Sequence, residues 1–178
     1  MMTIILDNLD KRRSYLCLET GRSAISRQIQ RLTKQFVDEE LRNKVPSHVF
    51  MLVYEKPDWV IYESHMKPIK EFGIPSGVRC YKASLPFVED VFRRSVGFPL
   101  RINKRLAKKY LSEPYGVRDI FELAKVCLIT HDNGEQPDRE GLICSEYAAL
   151  CYPKVMKDLK LPAHTITPAH WLQYLSSK

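Results

Sequence analysis

Two apolar runs of residues, 48–54 and 59–63, constrain the fold of this chain more than any other feature of its sequence. Both runs are rich in β-branched and aromatic residues, which is typical of buried strands. The four residues between them include Pro57 and two acidic residues, a composition typical of a hairpin turn. A slip of one residue in such a hairpin would turn every side chain to the other face of the sheet. The sequence therefore predicts an antiparallel hairpin whose register depends on the length of this loop.

This register brings polar side chains together. If Tyr54 pairs with Trp59, His48 and Glu63 project from the same face of the hairpin as diagonal neighbours. A carboxylate in that position can hold an imidazole in one tautomer and one orientation. His65 lies on the same predicted face and is an alternative for either role. The hairpin therefore predicts a histidine and a carboxylate side by side at one end of a sheet.

Cys144 has the sequence context of a nucleophile. It follows Gly141 and two apolar residues, and the run that begins at Cys144 predicts the start of a helix. The first N–H groups of a helix have no internal partner and carry partial positive charge, which favours thiolate over thiol. A catalytic thiolate also requires an imidazole, and the imidazole requires an orienting group. We therefore predict a triad in which Cys144 is the nucleophile, His48 is the base and Glu63 orients His48.

The order of these three residues resembles the circularly permuted branch of the NlpC-type papain-like cysteine hydrolases, which includes the YiiX-like proteins. Four segments carry the resemblance together with a short second strand that ends in an acidic residue. They are residues 47–49 before an apolar strand, 114–116 before a helical stretch, 144–146 at a helix start and 166–172 near the end of the chain. The resemblance spans residues 15–172. Two positions depart from the family pattern: Phe50 stands where a small residue is common, and His170 stands where an acidic residue often follows Pro-Ala.

The resemblance implies an α+β fold of the papain-like, permuted NlpC type. Helices would pack on a small antiparallel sheet or barrel, and the nucleophile would lie at a helix N-terminus. The implied reaction is a thiol-dependent attack on an amide or acyl bond, as in a cysteine peptidase or amidase. The implied substrate is a peptide, a peptidoglycan fragment or an acyl lipid. The family pattern also implies that Tyr115 contacts the substrate.

Length and composition agree with one domain spanning residues 1–178, because 44% of the residues are hydrophobic and no repeat or long linker interrupts them. The five cysteines are odd in number and lie mostly in apolar stretches, which favours a reducing compartment over a disulfide framework. The basic cluster at 11–13 follows the short apolar N-terminal run, which is the reverse of the order in a signal peptide. We therefore predict a cytoplasmic protein, with export by another route left open.

Net charge points to a second class of function. The formal charge is +7, and the basic residues concentrate in segments 11–34 and 101–109. Such a balance suits nucleic acid, anionic lipid or an acidic cell-wall polymer, although no nucleic-acid-binding fingerprint is present. In this alternative the protein binds an anionic polymer and Cys144 is a buried hydrophobic residue. A thiol acyltransferase on the same fold is a third possibility, if the acyl acceptor is not water.

Metal binding receives little support from the sequence. The candidate ligands are Cys127, His131 and Asp132, or His164 and His170. Neither set has the paired cysteines or close histidine spacing that metal sites require. We therefore expect no metal and no other cofactor.

Periodicity predicts the remaining elements. A strand is expected over 15–19 and a helix over 23–40, whose apolar stripe includes Ile25, Ile29 and Phe36. A helix is also expected from Ser84 to Gly97, with proline in its first turn. Further helices are predicted over 101–110 and 117–124, and a polar loop over 131–138.

Overall fold

Six antiparallel strands form one sheet in the computed structural model, which describes residues 2–116 and 141–178. The order across the sheet is β1-β6-β2-β3-β4-β5. Within the described residues the sheet is open, with β1 and β5 at its edges, so the barrel form of the prediction is not observed. The strands are β1 (Met2–Thr3), β2 (Ser14–Glu19), β3 (His48–Glu55), β4 (Asp58–His65), β5 (Gly77–Lys82) and β6 (Ser95–Leu100).

The hairpin of β3 and β4 confirms the predicted register. Tyr54 pairs with Trp59, and Phe50 pairs with Glu63. The strands extend closer to the turn than predicted, because Glu55 and Asp58 also pair. The short loop thus determines which side chains share a face. In this register His48 stands at the first position of β3.

Helices pack on both faces of this sheet, so the α+β class is confirmed. The papain-like identity of the fold stays a prediction. None of the helices in the two described ranges is long and apolar enough to cross a membrane. The helices are α1 (Ala24–Thr33), α2 (Val88–Arg93), α3 (Lys104–Lys109), α4 (Cys144–Cys151), α5 (Lys154–Leu159) and α6 (Pro168–Ser176).

The two faces of the sheet belong to different hydrophobic cores. On one face, Val49 and Met51 of β3 share a core with Tyr147 of α4 and Trp171 of α6. On the other face, alternate residues of the same strands pack against α2. This second core contains Tyr15, Cys17, Phe50, Leu52, Ile61, Val88 and Phe92. Because side chains alternate along a strand, His48 belongs with the second face and α4 covers the first.

The predicted helix over 23–40 is wrong in its second half. Helix α1 ends at Thr33, and two 3-10 turns, Lys34–Phe36 and Glu39–Lys44, follow it. Between these turns the chain is extended at Val37, which is buried in the core. Contacts with α6 stabilise this bend, since the side chain of Gln173 accepts a hydrogen bond from the Asp38 N–H at 2.9 Å. Tertiary packing therefore outweighs the local helical periodicity.

The predicted helix from Ser84 to Gly97 is also wrong at both ends. Helix α2 covers only Val88–Arg93, and the chain then enters β6. Gly97 ends no helix and instead pairs with Cys17 inside the sheet. The ladder with β2 is a long-range interaction that local periodicity does not reveal. The helix predicted over 101–110 is observed as the shorter α3, whereas the predictions for 117–124 and 131–138 lie outside the described residues.

A capping box explains how His170 fits at the start of α6. The Thr167 hydroxyl accepts a hydrogen bond from the His170 N–H at 3.2 Å. In return, His170 Nδ1 accepts one from the Thr167 N–H at 3.1 Å. A glutamate or glutamine usually makes this second bond. The imidazole replaces it here as a neutral acceptor, because burial lowers the pKa of His170 to about 4.

Replacement of His170 tests this role at the helix start. We expect His170→Ala to lower the free energy of unfolding by about 1 kcal/mol, because a backbone N–H at the helix start loses its acceptor. His170→Gln retains an acceptor and is expected to lose less. Urea denaturation at pH 7 measures both changes. Equal losses in the two variants would contradict the capping role.

The pH dependence of stability provides a second measurement of the same contact. The pKa of His170 is lower in the folded protein than the usual ~6.5 of an unfolded chain, so the unfolded state binds more protons between the two values. The stabilisation is therefore complete above pH ~6.5 and is lost as the pH falls towards 4, at up to about 1.4 kcal/mol per pH unit. We expect His170→Gln to flatten this part of the stability curve. A curve identical to that of the wild type would contradict the assignment.

Candidate active site

His48 and Glu63 meet at one end of the sheet, as the hairpin register predicts. His48 Nε2 lies 2.7 Å from Glu63 Oε2. The His48 side chain is 12% exposed and that of Glu63 is 5% exposed, so water screens this contact little. The carboxylate therefore holds the imidazole ring in one orientation.

Two residues of β5 hold the other oxygen of the same carboxylate. Arg79 donates from Nε and Nη2 to Glu63 Oε1, at 2.9 and 2.6 Å. The Tyr81 hydroxyl donates to the same oxygen at 2.8 Å. The register explains this contact, because Arg79 pairs with Glu63 across β4 and β5. Oε2 of Glu63 is thus left for His48.

Arg79 is itself fixed by the backbone. Its Nη1 donates to the carbonyl oxygens of Lys67 and Pro75, at 2.7 and 2.9 Å. The Arg79 side chain is 3% exposed, so an unpaired guanidinium in this position would be costly. The arginine, the carboxylate and the imidazole therefore form one buried hydrogen-bonded chain.

The carboxylate of Glu63 is ionised in this environment. Burial alone would raise its pKa, but the hydrogen bond and charge of His48 and the charge of Arg79 outweigh burial and hold the pKa far below its usual range. A carboxylate with such a pKa stays negative throughout the physiological pH range. It can therefore stabilise a positive imidazolium beside it.

Cys144 lies where the sequence predicts, at the first position of α4. Hydrogen bonds from neighbouring segments hold the residues on either side of it. Ser64 of β4 donates its hydroxyl to the Leu142 carbonyl oxygen, and the Leu142 N–H donates to the Pro114 carbonyl oxygen at 2.9 Å. Trp171 of α6 donates its indole N–H to the Ser145 carbonyl oxygen at 3.2 Å. The start of the helix is therefore fixed from several directions.

Gly141 permits this close packing. A Cβ at this position would overlap the carbonyl group of Pro114 and approach the backbone nitrogen of Gly116. The segment 113–116, which Gly141 approaches, also bonds to β5, since the Val78 N–H donates to the Glu113 carbonyl oxygen at 2.8 Å. Residues 113–116 thus lie between the edge of the sheet and the approach to Cys144.

The thiol of Cys144 lies beside the His48 ring, close enough for a side-chain hydrogen bond that raises the pKa of His48. Because Nε2 of His48 is engaged by Glu63, Nδ1 is the ring nitrogen left for the sulfur. By strand alternation His48 belongs to the sheet face opposite the one that α4 covers. The two side chains meet because each stands at the first residue of its element.

The surroundings of His48 favour its protonated form. Burial alone would lower its pKa, but the charge of Cys144, the hydrogen bond to it and the Glu63 carboxylate raise the pKa well above the usual value. A protonated imidazole next to a thiol is the arrangement that activates cysteine nucleophiles in general.

His65, the alternative histidine, is a neighbour of His48 and is neutral. The two ring centroids are 5.2 Å apart, and His65 Nδ1 accepts a hydrogen bond from the Lys67 N–H at 3.0 Å. Burial and the positive charge of His48 lower the pKa of His65 to about 4. The described hydrogen bonds of Glu63 go to His48, Arg79 and Tyr81, so the carboxylate does not orient His65.

Tyr115 lines a cavity of about 500 Å³ that His48 and His65 also line. Its predicted contact with substrate stays a prediction.

The structure gives no support for the metal-binding alternative in the described residues, among which no group of three or more His, Cys, Asp or Glu side chains could hold an ion. Three of its proposed ligands, Cys127, His131 and Asp132, lie outside the described residues.

Sequence reasoning missed Arg79 and Tyr81. The signal that was available is the alternation within residues 77–82, where Val78 and Cys80 alternate with Arg79 and Tyr81. This pattern predicts a strand, but only the pairing of β5 with β4 brings Arg79 to Glu63.

No family model matches this chain, and a search of curated proteins gives no match either.

Arg79→Gln tests the support of the carboxylate. Because this change leaves the buried Glu63 without its strongest donor, we expect the free energy of unfolding to fall by about 3–5 kcal/mol. Tyr81→Phe removes one hydrogen bond from a neutral hydroxyl to the carboxylate and is expected to cost about 1.5–3 kcal/mol. Both values are measurable by urea denaturation at pH 7.

Arg93→Gln is the matched control for this pair of variants. Its guanidinium bonds to Glu89 at 2.6 Å, but both side chains are largely exposed, at 70% and 73%. An exposed ion pair is worth about 0–1 kcal/mol, so this variant is expected to be nearly as stable as the wild type. A loss in Arg79→Gln no greater than in Arg93→Gln would contradict the described role of Arg79.

Proposed function

We propose that this protein is a cysteine-dependent hydrolase of the permuted NlpC-type papain-like class, with Cys144, His48 and Glu63 as its catalytic triad. The observation that carries the proposal is the chain of contacts from thiol to imidazole to carboxylate. It joins residues of α4, β3 and β4, which are far apart in sequence. A triad is recognised by such geometry and by the roles of its members rather than by their order.

The proposed reaction uses Cys144 as a thiolate and His48 as an imidazolium. The Cys144 thiolate attacks the carbonyl carbon, a C–S bond forms, and the carbonyl oxygen becomes an oxyanion. As the tetrahedral species collapses, the C–N or C–O bond breaks and the His48 imidazolium gives its proton to the leaving group. Water then attacks the thioester, its proton passes to His48, and the C–S bond breaks to release the acid and restore the thiolate.

The start of α4 is suited to stabilise the oxyanion. Its N-cap is Ile143, whose apolar side chain forms no capping hydrogen bond. The first N–H groups of a helix have no partner within the helix, so that of Cys144 is suited to bind a ligand oxygen. Donors of this kind stabilise the charge that develops in the transition state.

A peptide-type amide is the first substrate class to test, including the stem peptides of cell walls, and an acyl lipid is the second. The cavity beside His48 is in the size range of small-molecule sites, about 300–1,000 Å³. Its volume of about 500 Å³ accommodates a short peptide segment or an acyl chain. Screening peptides, muropeptides and acyl esters, with Cys144→Ala as the inactive control, identifies the class.

Alkylation with iodoacetamide at pH 6 tests the thiolate and imidazolium pair. The positive charge of His48 is expected to keep Cys144 reactive at a pH where ordinary thiols, with a pKa of ~8.5, are almost fully protonated. We expect Cys144 to react first, and His48→Ala to slow it by roughly tenfold or more. Peptide mapping by mass spectrometry measures the rate at each cysteine, in a Cys127→Ser background.

The other cysteines serve as internal controls. Burial raises the pKa of Cys17 far above its usual value and that of Cys151 to about 12. Cys80 is exposed, but partial burial of its thiol and the charge of Glu55 raise its pKa as well. His65→Ala, which changes a neighbouring histidine that does not bond to the thiol, is expected to leave the rate at Cys144 within about twofold.

Two results together would favour the alternative function. An inert Cys144 at pH 6 would contradict the proposal. If the same protein also bound DNA with an affinity that fell steeply with salt, it would be a binding protein for an anionic polymer. A transferred acyl group on an added amine or alcohol, in preference to water, would indicate an acyltransferase on the same site.

A further inference from the structure

The cavity beside His48 lies on one side of the proposed reaction centre. Among the described residues, its lining includes His48 and does not include Cys144. It extends from the sheet end to the beginning of α1 and to the segment that follows β4. Its described lining residues include Arg22, Ile25, Ile29, Lys67, Phe87 and Tyr115.

The chemistry of thiol hydrolysis indicates which part of a substrate would lie beside His48. In thiol hydrolysis the sulfur keeps the acyl group, while the imidazolium protonates the leaving group. A cavity that adjoins the imidazole, and not the sulfur, is therefore positioned for the leaving group. We infer that this cavity binds the leaving group, and that this group is apolar and carries a negative charge. The inference rests on the proposed function of the triad.

The walls of the cavity account for the apolar part. Ile25 of α1 is 45% exposed, and both Ile25 and Ile29 of this helix line the cavity. Phe87 faces the same cavity and packs against Tyr81, at a distance of 5.5 Å between ring centroids. Phe72 is 39% exposed and packs on Phe87 at 5.3 Å, so apolar surface continues beyond the cavity. A leaving group with an aliphatic side chain or a short alkyl chain fits these walls.

The charges around the cavity account for the negative part. Its two carboxylates are already paired, Glu63 with Arg79 at 2.6 Å and Glu19 with Arg94 at 3.1 Å. The two remaining cations, Arg22 and Lys67, form no ion pair with any carboxylate in the described ranges. The cavity thus has an excess of positive charge, which is complementary to an anion.

Two kinds of leaving group are both apolar and anionic. One is a C-terminal amino acid with an aliphatic side chain, whose amine leaves and whose α-carboxylate is the anion. The other is a glycerol phosphate that carries one alkyl or acyl chain, whose oxygen leaves and whose phosphate is the anion. Both combine an apolar body with one negative group at a short distance from the leaving atom.

Binding to the Cys144→Ala protein, which cannot turn over substrate, tests the inference by isothermal titration calorimetry. The peptide probes are leucyl-leucine and leucyl-leucinamide, which differ only in the anionic group. The lipid probes are octanoylglycerol phosphate and octanoylglycerol, both below the concentration at which micelles form. We expect one anionic probe to bind about tenfold more tightly than its neutral counterpart, as a contact worth ~1.4 kcal/mol would give. The pair that shows this preference identifies the source.

Variants of the cavity provide the controls. Arg22→Gln combined with Lys67→Gln is expected to reduce the preference for the anionic probe to about twofold or less, because the attraction is lost. Arg101→Gln combined with Lys104→Gln removes the same charge from residues outside the described lining of the cavity, and is expected to keep the preference. Ile25→Asn is expected to weaken both members of the preferred pair by about three- to tenfold.

Three results would overturn the inference. They are no binding of any probe, equal binding of the anionic and neutral members of both pairs, and a preference that survives the loss of Arg22 and Lys67. None of these measurements depends on the reactivity of Cys144. An inert thiol with an intact preference would therefore contradict the proposed hydrolase while the selectivity of the cavity stands.

Discussion

The buried carboxylate of Glu63 is the group on which the rest of the site depends. An ionised carboxylate in so dry a position is stable only when donors surround it. Arg79 and Tyr81 satisfy one of its oxygens, and His48 satisfies the other. The negative charge that results favours the protonated form of His48, and Cys144 contacts the same imidazole. The charges of Arg79, Glu63 and His48 balance one another, so the loss of one side chain leaves a neighbouring buried charge unpaired.

The architecture explains how these almost fully buried side chains can lie next to a cavity. Helix α4 covers one face of the sheet, and the residues that hold Glu63 belong to the other face. Sulfur and imidazole meet at the boundary, where β3 and α4 each begin. At that boundary a cavity opens on the imidazole side, and the N-terminus of α4 lies on the sulfur side. The two sides of a scissile bond would thus encounter different surroundings.

Local features of the sequence predicted the parts of the site that lie within one or two adjacent elements. The hairpin register followed from loop length and alternation, and the helix start at Cys144 followed from a glycine, two apolar residues and a helical run. The same reasoning was wrong for residues 34–40 and 94–97, where helical periodicity continues but contacts with α6 and β2 decide the backbone. It also missed β5, because an edge strand with alternating polar residues resembles a solvent-exposed segment.

The sequence by itself determined which groups are proposed to react, the face that His48 and Glu63 share, and the helix end that presents Cys144. The shared face and the helix end each depend on periodicity or on a short turn. Only the tertiary structure decided that Arg79 and Tyr81 hold Glu63, that residues 113–116 lie against Gly141, and that a positively charged cavity opens beside His48. Those contacts join segments separated by many residues. Their formation depends on how the sheet is ordered and how the helices pack on it, which no local pattern specifies.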